Sequence, residues 1–391
     1  MCSKTRGILF STYLNSIYGT TCSRSAPCIK LSFRGGNFTG DFAAAPTWWI
    51  HAQDGSRRGI GEAAPLVGLS IDALPDFQER LEEVLEAVSA KGDAALFRDA
   101  QTQEEVFEGL QGLLDACVPA ELPAARFGVE TALLSLWQGK EGCVFRGSFY
   151  EKEAPIPING LIWMGDAELM RQRIDEKLAA GFRCLKMKIG AIDFEQELAL
   201  LRYIRERFPA EQLVLRVDAN GAFRPEEAAK KLERLAEFTL HSIEQPIAVG
   251  QWELLRELCA QSPVPIALDE ELIGVHGRRE REELLAAIRP PYIILKPSLV
   301  GGMGAAAEWI SLAEQQGIGW WMTSALESNV GLNAIAQFTA RYPNLPYQGL
   351  GTGQLYTNNV NSPLEIAKGE IRYRLHQLGE VYSFKWVEEG S

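Results

Sequence analysis

From residue 156 onward the chain alternates short aliphatic runs with longer stretches whose apolar positions recur every three or four residues. The runs at 156–162, 184–189, 213–218, 242–244, 266–269, 292–295, 319–323 and 348–350 have the length and composition of strands. Amphipathic helical spacing fills the gaps between them. Eight strands alternating with helices predict a parallel (β/α)8 barrel of the TIM type. An open doubly wound sheet is the other architecture for such a pattern, but no G-x-G-x-x-G turn follows the first strand.

Before residue 150 the pattern is different. Residues 47–60 read as strand, Asp54-Gly55 turn and strand, and helical periodicity follows at 74–88, 104–114 and 124–137. The expected organisation is an α+β capping domain over 1–150, the barrel with the active site over 151–360, and a segment 361–391 that returns to the capping domain. In residues 1–30, Lys4 and Arg6 precede Gly7-Ile8-Leu9-Phe10, yet Ser11, Thr12, Asn15 and Ser16 break the apolar stretch. That segment reads as a poorly ordered leader rather than an export signal.

Composition narrows the function class. The length of 391 residues suits a barrel with a second, smaller unit. No run approaches the roughly 18 uninterrupted apolar residues of a membrane span. Seven cysteines, scattered and without CxxC spacing, fit a reducing cytoplasm better than a disulfide framework or a zinc site. A net charge of −12 without any basic block argues against nucleic acid. It also means that an anionic substrate must be held by local cations. The expected partner is a small-molecule carboxylate, and the protein could be a monomer or a homo-oligomer.

Six charged residues stand at the C-terminal ends of successive predicted strands: Lys186, Lys188, Asp218, Glu244, Asp269 and Lys296. In a barrel those ends form the active-site rim. Any one acid alone could be a helix cap or a surface ion-pair partner. Three acids in register with the βα repeat instead put oxygen ligands on neighbouring strands, where one ion can touch all of them. Hard oxygen ligands without His or Cys favour Mg²⁺ over zinc, with Mn²⁺ as a substitute. Lys186 and Lys188, two apart on a strand, share a face. Two ammonium groups crowded beside a dication repel, which favours the neutral amine on one of them. Lys188 is the expected base, Lys186 its electrostatic partner, and Lys296 faces the substrate from across the barrel. A proton alpha to a carboxylate is very weakly acidic, and its removal needs this kind of concentrated positive charge.

These residues resemble the enolase superfamily, in the muconate-lactonizing-enzyme-like subgroup, and within it the o-succinylbenzoate synthase family. The resemblance rests on Gly59-Ile-Gly-Glu-Ala-Ala-Pro-Leu-Val-Gly-Leu-Ser70, Ala125-Arg-Phe-Gly-Val-Glu-Thr-Ala-Leu-Leu134, Leu185-Lys-Met-Lys-Ile-Gly190 and Val217-Asp-Ala-Asn-Gly-Ala-Phe223. Further on it rests on Ile243-Glu-Gln-Pro246, Ala267-Leu-Asp-Glu270, Leu295-Lys-Pro-Ser-Leu-Val-Gly-Gly302 and Thr323-Ser-Ala-Leu-Glu-Ser328. It implies a Mg²⁺-dependent dehydration of 2-succinyl-6-hydroxy-2,4-cyclohexadiene-1-carboxylate in menaquinone biosynthesis. By the same resemblance Lys188 abstracts the proton and then protonates the departing hydroxyl, while Lys296 packs over the intermediate as a cation. Thr323, Ser324, Gly351 and Thr352 are expected to receive the succinyl tail, small residues there permitting close backbone approach. The Asp-x-Asp of dipeptide epimerases is missing from Gly349-Leu-Gly-Thr-Gly-Gln-Leu-Tyr356, and an atypical Gly36-Asn-Phe-Thr-Gly-Asp41 replaces the family's usual loop. An N-succinylamino acid racemase is the alternative reading, and an inactive barrel scaffold is the reading outside enzymes.

Overall fold

The computed structural model describes residues 30–38, 45–92, 99–140, 142–356 and 359–375. Its first unit is an antiparallel meander of β1 (Lys30–Phe38), β2 (Ala45–Asp54) and β3 (Arg57–Ala63). Helices α1 (Phe77–Lys91), α2 (Gln103–Cys117) and α3 (Pro123–Gln138) follow, with a short α4 (Ser148–Lys152). Strand β1 was not legible as a strand, because Gly35-Gly36 reads as a loop. In the fold Gly36, Asn37 and Phe38 pair with Thr47, Pro46 and Ala45, so the first half of the atypical segment lies in a sheet. Its remaining residues, 39–41, lie outside the described residues, as does most of the leader. Helix α1 begins after Pro75 and Asp76 rather than at Leu74. A residue that precedes proline is pushed out of the helical region.

The motif Gly59-Ile-Gly-Glu62 on β3 has a packing reason. A Cβ on Gly61 would lie 1.9 Å from the carbonyl oxygen of Gly128, and one on Gly59 would lie 2.2 Å from that of Ala132. Only glycine lets α3 lie this close against the strand.

The barrel runs from β4 (Ile156–Pro157) and β5 (Gly160–Ile162) through β6 (Cys184–Lys188), β7 (Val214–Asp218), β8 (Ser242–Glu244), β9 (Ile266–Leu268), β10 (Tyr292–Leu295) and β11 (Gly319–Met322). Strands β5 to β11 form one parallel sheet in chain order. The outer helices are α5 (Ala167–Ala179), α6 (Phe194–Arg205), α7 (Pro225–Ala236), α8 (Trp252–Gln261), α9 (Gly277–Ile288), α10 (Pro297–Val300), α11 (Gly302–Gln315) and α12 (Asn329–Thr339).

Two of the expected strands differ from their reading. The first is split: β4 pairs with a C-terminal hairpin of β12 (Leu364–Ala367) and β13 (Glu370–Tyr373), whereas β5 pairs with β6. The eighth, at 348–350, is reduced to single bridges, Gln348 to Ile158 and Gly349 to Thr323. These two bridges close the sheet into a barrel. Pro346 cannot donate to a ladder, and the Met322 N–H of β11 is met here by the Gln348 side-chain oxygen, which accepts from it at 2.7 Å.

Along β6, Cys184, Lys186 and Lys188 share one face, and every residue of the strand is buried. The lysines therefore point into the barrel. Beneath them the interior is filled by Arg216, whose guanidinium lies 3.9 Å from the Trp321 ring, and by His241 stacked on Tyr292.

Candidate active site

The six charged side chains of the site are delivered by the ends of five strands or the residue just beyond them. Lys186 and Lys188 come from β6, Asp218 from β7 and Glu244 from β8, with Asp269 directly after β9 and Lys296 directly after β10. All six are at least nine-tenths buried. Oxygen atoms of Asp218, Glu244 and Asp269 lie within 4.8 Å of one another.

The ammonium groups interleave with these acids. Lys186 Nζ donates to Glu244 Oε2 at 2.7 Å and lies 3.1 Å from Asp218 Oδ2. Lys188 Nζ donates to the same Asp218 oxygen at 2.5 Å and to Asn220 Oδ1 at 2.7 Å. Lys296 Nζ donates to Asp269 Oδ2 at 2.6 Å.

The pKa shifts separate the groups. Burial alone would lower Lys186, but Glu244, Asp218 and Asp269 outweigh it and hold this ammonium well above the ordinary lysine range. Burial likewise opposes Lys296, and Asp269 with Glu270 raises it. A cation among the acids would screen part of that pull. Asp218, despite burial, is driven down by Lys188 and Lys186. Glu244 is driven up by burial and by the charges of Asp218 and Asp269, against the pull of Lys186. The two carboxylates thus titrate in opposite directions because they crowd one another.

This donor set fits a divalent cation. Three buried carboxylates converge, and Glu244 Oε1 has no hydrogen-bond partner among the described residues. A fourth acid, Glu270, also faces the cavity, so four carboxylates meet three ammonium groups. Adding a dication turns that deficit into an excess suited to an anionic ligand.

A cavity of about 170 Å³ opens above the lysines. Lys186, Lys188 and Lys296 line it on one side, and Thr323, Ser324, Gly351 and Thr352 line it on another, so the expected tail residues share the cavity with the lysines. The Ser324 and Thr352 hydroxyls are hydrogen-bonded to each other, and Thr323 Oγ1 donates to Gly349 O at 2.9 Å.

Sequence reasoning missed several lining residues. Asn220 joins Lys188 to Glu270, donating from Nδ2 to Glu270 Oε1 at 2.7 Å. Its left-handed φ of 42°, two residues after Asp218, turns the side chain back toward the rim. Trp163 places its ring 5.6 Å from Lys188 Nζ, within cation–π range. Leu66 and Leu69 reach the cavity from the loop after β3. No periodic signal marks such loop residues, but Leu66, Leu69, Asn220 and Glu270 all stand inside the motifs that carry the resemblance, and Trp163 alone lies outside them.

The comparisons agree with this geometry. Residues 169–377 match the family described as enolase C-terminal domain-like. An o-succinylbenzoate synthase from Desulfotalea psychrophila is 48% identical over 346 residues, covering 85% of this chain and 94% of the relative. The crystal structure of MenC from the same organism superposes with a TM-score of 0.81 at 44% identity, covering 88% of this chain and 99% of that one. An N-succinylamino acid racemase from Thermus thermophilus is 36% identical, over 40% of each chain. Muconate lactonizing enzyme from Pseudomonas putida shares the fold, with a TM-score of 0.71 at 21% identity over 89% of this chain and 94% of its own.

Proposed function

We propose that this chain, which belongs to the enolase superfamily and its C-terminal domain-like family, is an o-succinylbenzoate synthase. It would dehydrate 2-succinyl-6-hydroxy-2,4-cyclohexadiene-1-carboxylate in menaquinone biosynthesis. The observation that carries the reading is the placement of Lys188 and Lys296 on one cavity together with three converging carboxylates. The 48% identity to a synthase over most of both chains supports the choice of substrate.

Asp218, Glu244 and Asp269 would hold Mg²⁺, with Mn²⁺ able to replace it, because hard carboxylate oxygens and no His or Cys make up the donor set. When bound, the cation supplies positive charge beside the substrate carboxylate, where electron density collects as the alpha proton leaves.

The protein residues then divide the work. Lys186 stays an ammonium because three acids hold it there, which leaves Lys188 as the base. Lys188 takes the ring proton alpha to the carboxylate, and the resulting ammonium returns that proton to the hydroxyl departing from the neighbouring ring carbon. Water leaves, and the ring becomes aromatic. Lys296, held protonated by Asp269 and Glu270, stabilises the negative charge from the opposite face. Thr323, Ser324, Gly351 and Thr352 receive the succinyl tail.

No helix of the described residues is long and apolar enough to cross a membrane, and Cys117, Cys143, Cys184 and Cys259 are free thiols. The free thiols fit the cytoplasmic location we propose.

Racemisation of N-succinylamino acids is the rival activity, because lysines from two strands reach the same cavity. It needs Lys296 as a second base. Incubation in D₂O separates the two activities. Formation of o-succinylbenzoate with slow alpha-deuterium exchange into N-succinylamino acids supports the synthase; rapid exchange with inversion and no aromatic product overturns it.

A further inference from the structure

We infer that Glu62, on the capping domain, is a positioning residue that fixes the cavity wall receiving the substrate tail. The inference rests on the proposed function and deepens it. Glu62 lies at the end of β3 and is fully buried. Its carboxylate accepts from Ser328 N at 2.7 Å, Ser328 Oγ at 2.5 Å and Gly331 N at 2.7 Å. These donors belong to the cap and first turn of α12, a barrel helix, so a residue of the other unit caps it.

Helix α12 begins directly after the wall formed by Thr323, Ser324, Ala325 and Leu326. Glu327, also fully buried, faces the other way: it accepts from Ala325 N at 2.7 Å and from the Ser298 hydroxyl, two residues beyond Lys296. Gly331 lies between the two acids, since a Cβ there would be 2.7 Å from Glu327 Cβ and 3.1 Å from Glu62 Oε2. The wall is therefore tethered through Glu327 to α10, which directly follows Lys296, and through Ser328 and Gly331 to the capping domain.

The same strand end also supplies the facing wall. Leu66 and Leu69 lie on the loop that leaves β3 just after Glu62, and both line the cavity. Glu62 thereby sets the separation between that loop and residues 323–326. None of its contacts reaches the metal-binding acids or Lys188, so its influence falls on the tail rather than on proton transfer.

The test uses full-length Glu62→Gln and Gly331→Ala loaded with Mg²⁺. The first replaces an acceptor by an amide whose NH₂ meets backbone donors; the second wedges the two carboxylates apart without changing charge. Each should raise KM roughly tenfold while kcat stays within about threefold. Binding of o-succinylbenzoate should weaken in parallel, whereas binding of benzoate, which lacks the tail, and of Mg²⁺ should not change. Unchanged KM in both variants, or equal weakening of o-succinylbenzoate, benzoate and Mg²⁺, overturns the inference. If one variant does not fold, the other decides by the same readouts. Absence of dehydration in the parent would strike the proposed function alone, because the comparison of o-succinylbenzoate with benzoate still reads the wall.

Discussion

Lys188 Nζ lies 2.5 Å from Asp218 Oδ2, on a carboxylate that also offers an oxygen to the cluster it forms with Glu244 and Asp269. One carboxylate thus serves both the proposed base and the proposed metal site. The ammonium and the cation compete for it, so removing the amine cannot weaken metal binding through this contact. Lys188→Ala should lose dehydration by a factor of about 10³ or more, as expected for a general base that also serves as the acid. Its Mg²⁺ affinity, read by calorimetry, should equal or exceed the parent's. Retained turnover would remove Lys188 from the base role.

Glu244 is pushed up by burial and by two neighbouring acids, and one of its oxygens has no partner among the described residues. A bound dication relieves that crowding, so Mg²⁺ should raise the melting temperature in a concentration-dependent way. Glu244→Gln should blunt that rise and cut turnover together, since metal affinity follows ligand charge. A thermal response to Mg²⁺ identical to the parent's would remove Glu244 from the ligand set.

Lys296 is held protonated by Asp269 and Glu270. Lys296→Met should reduce kcat by about 10²-fold, in the range for loss of one electrostatic stabiliser, with little change in KM. If instead alpha-deuterium exchange into an N-succinylamino acid is present in the parent and vanishes in this variant, Lys296 acts as a second base.

Glu62 is pushed up from 4.5 to about 7 by burial, which its three donors only partly offset and the Glu327 charge reinforces. Between those values the folded protein keeps a proton that the unfolded chain has released, so this group's contribution to stability falls as pH rises through that window. In urea unfolding, the advantage of the parent over Glu62→Gln should shrink by up to about 3 kcal/mol from pH 4.5 to 7 and level off above it. An advantage that grows over the same range would mean that the donors, not burial, dominate.

The barrel and its charged rim were legible because period and spacing carry them. Lys186, Lys188, Asp218, Glu244, Asp269 and Lys296 recur with the βα unit, and the structure brings all six to one cavity or the cluster beneath it. Strand β1 and the loss of a full eighth strand were not legible. At β1 Gly35-Gly36 removes the alternating side chains on which strand reading depends, whereas residues 348–350 read as a strand and are reduced to single bridges after Pro346, where tertiary pairing decides the outcome. Glu62 stood inside a recognised motif, yet its role depends on Ser328 and Gly331, more than 260 residues away in sequence. No local pattern reports a contact of that separation.

The most direct measurement is the rate of o-succinylbenzoate formation from the cyclohexadiene substrate, followed by ultraviolet absorbance as the protein is stripped with chelator and reloaded with Mg²⁺. Dehydration that disappears on stripping and returns on reloading is the expected result. Dehydration indifferent to the chelator, or none with Mg²⁺ restored, would contradict a metal-assisted lysine base at this rim.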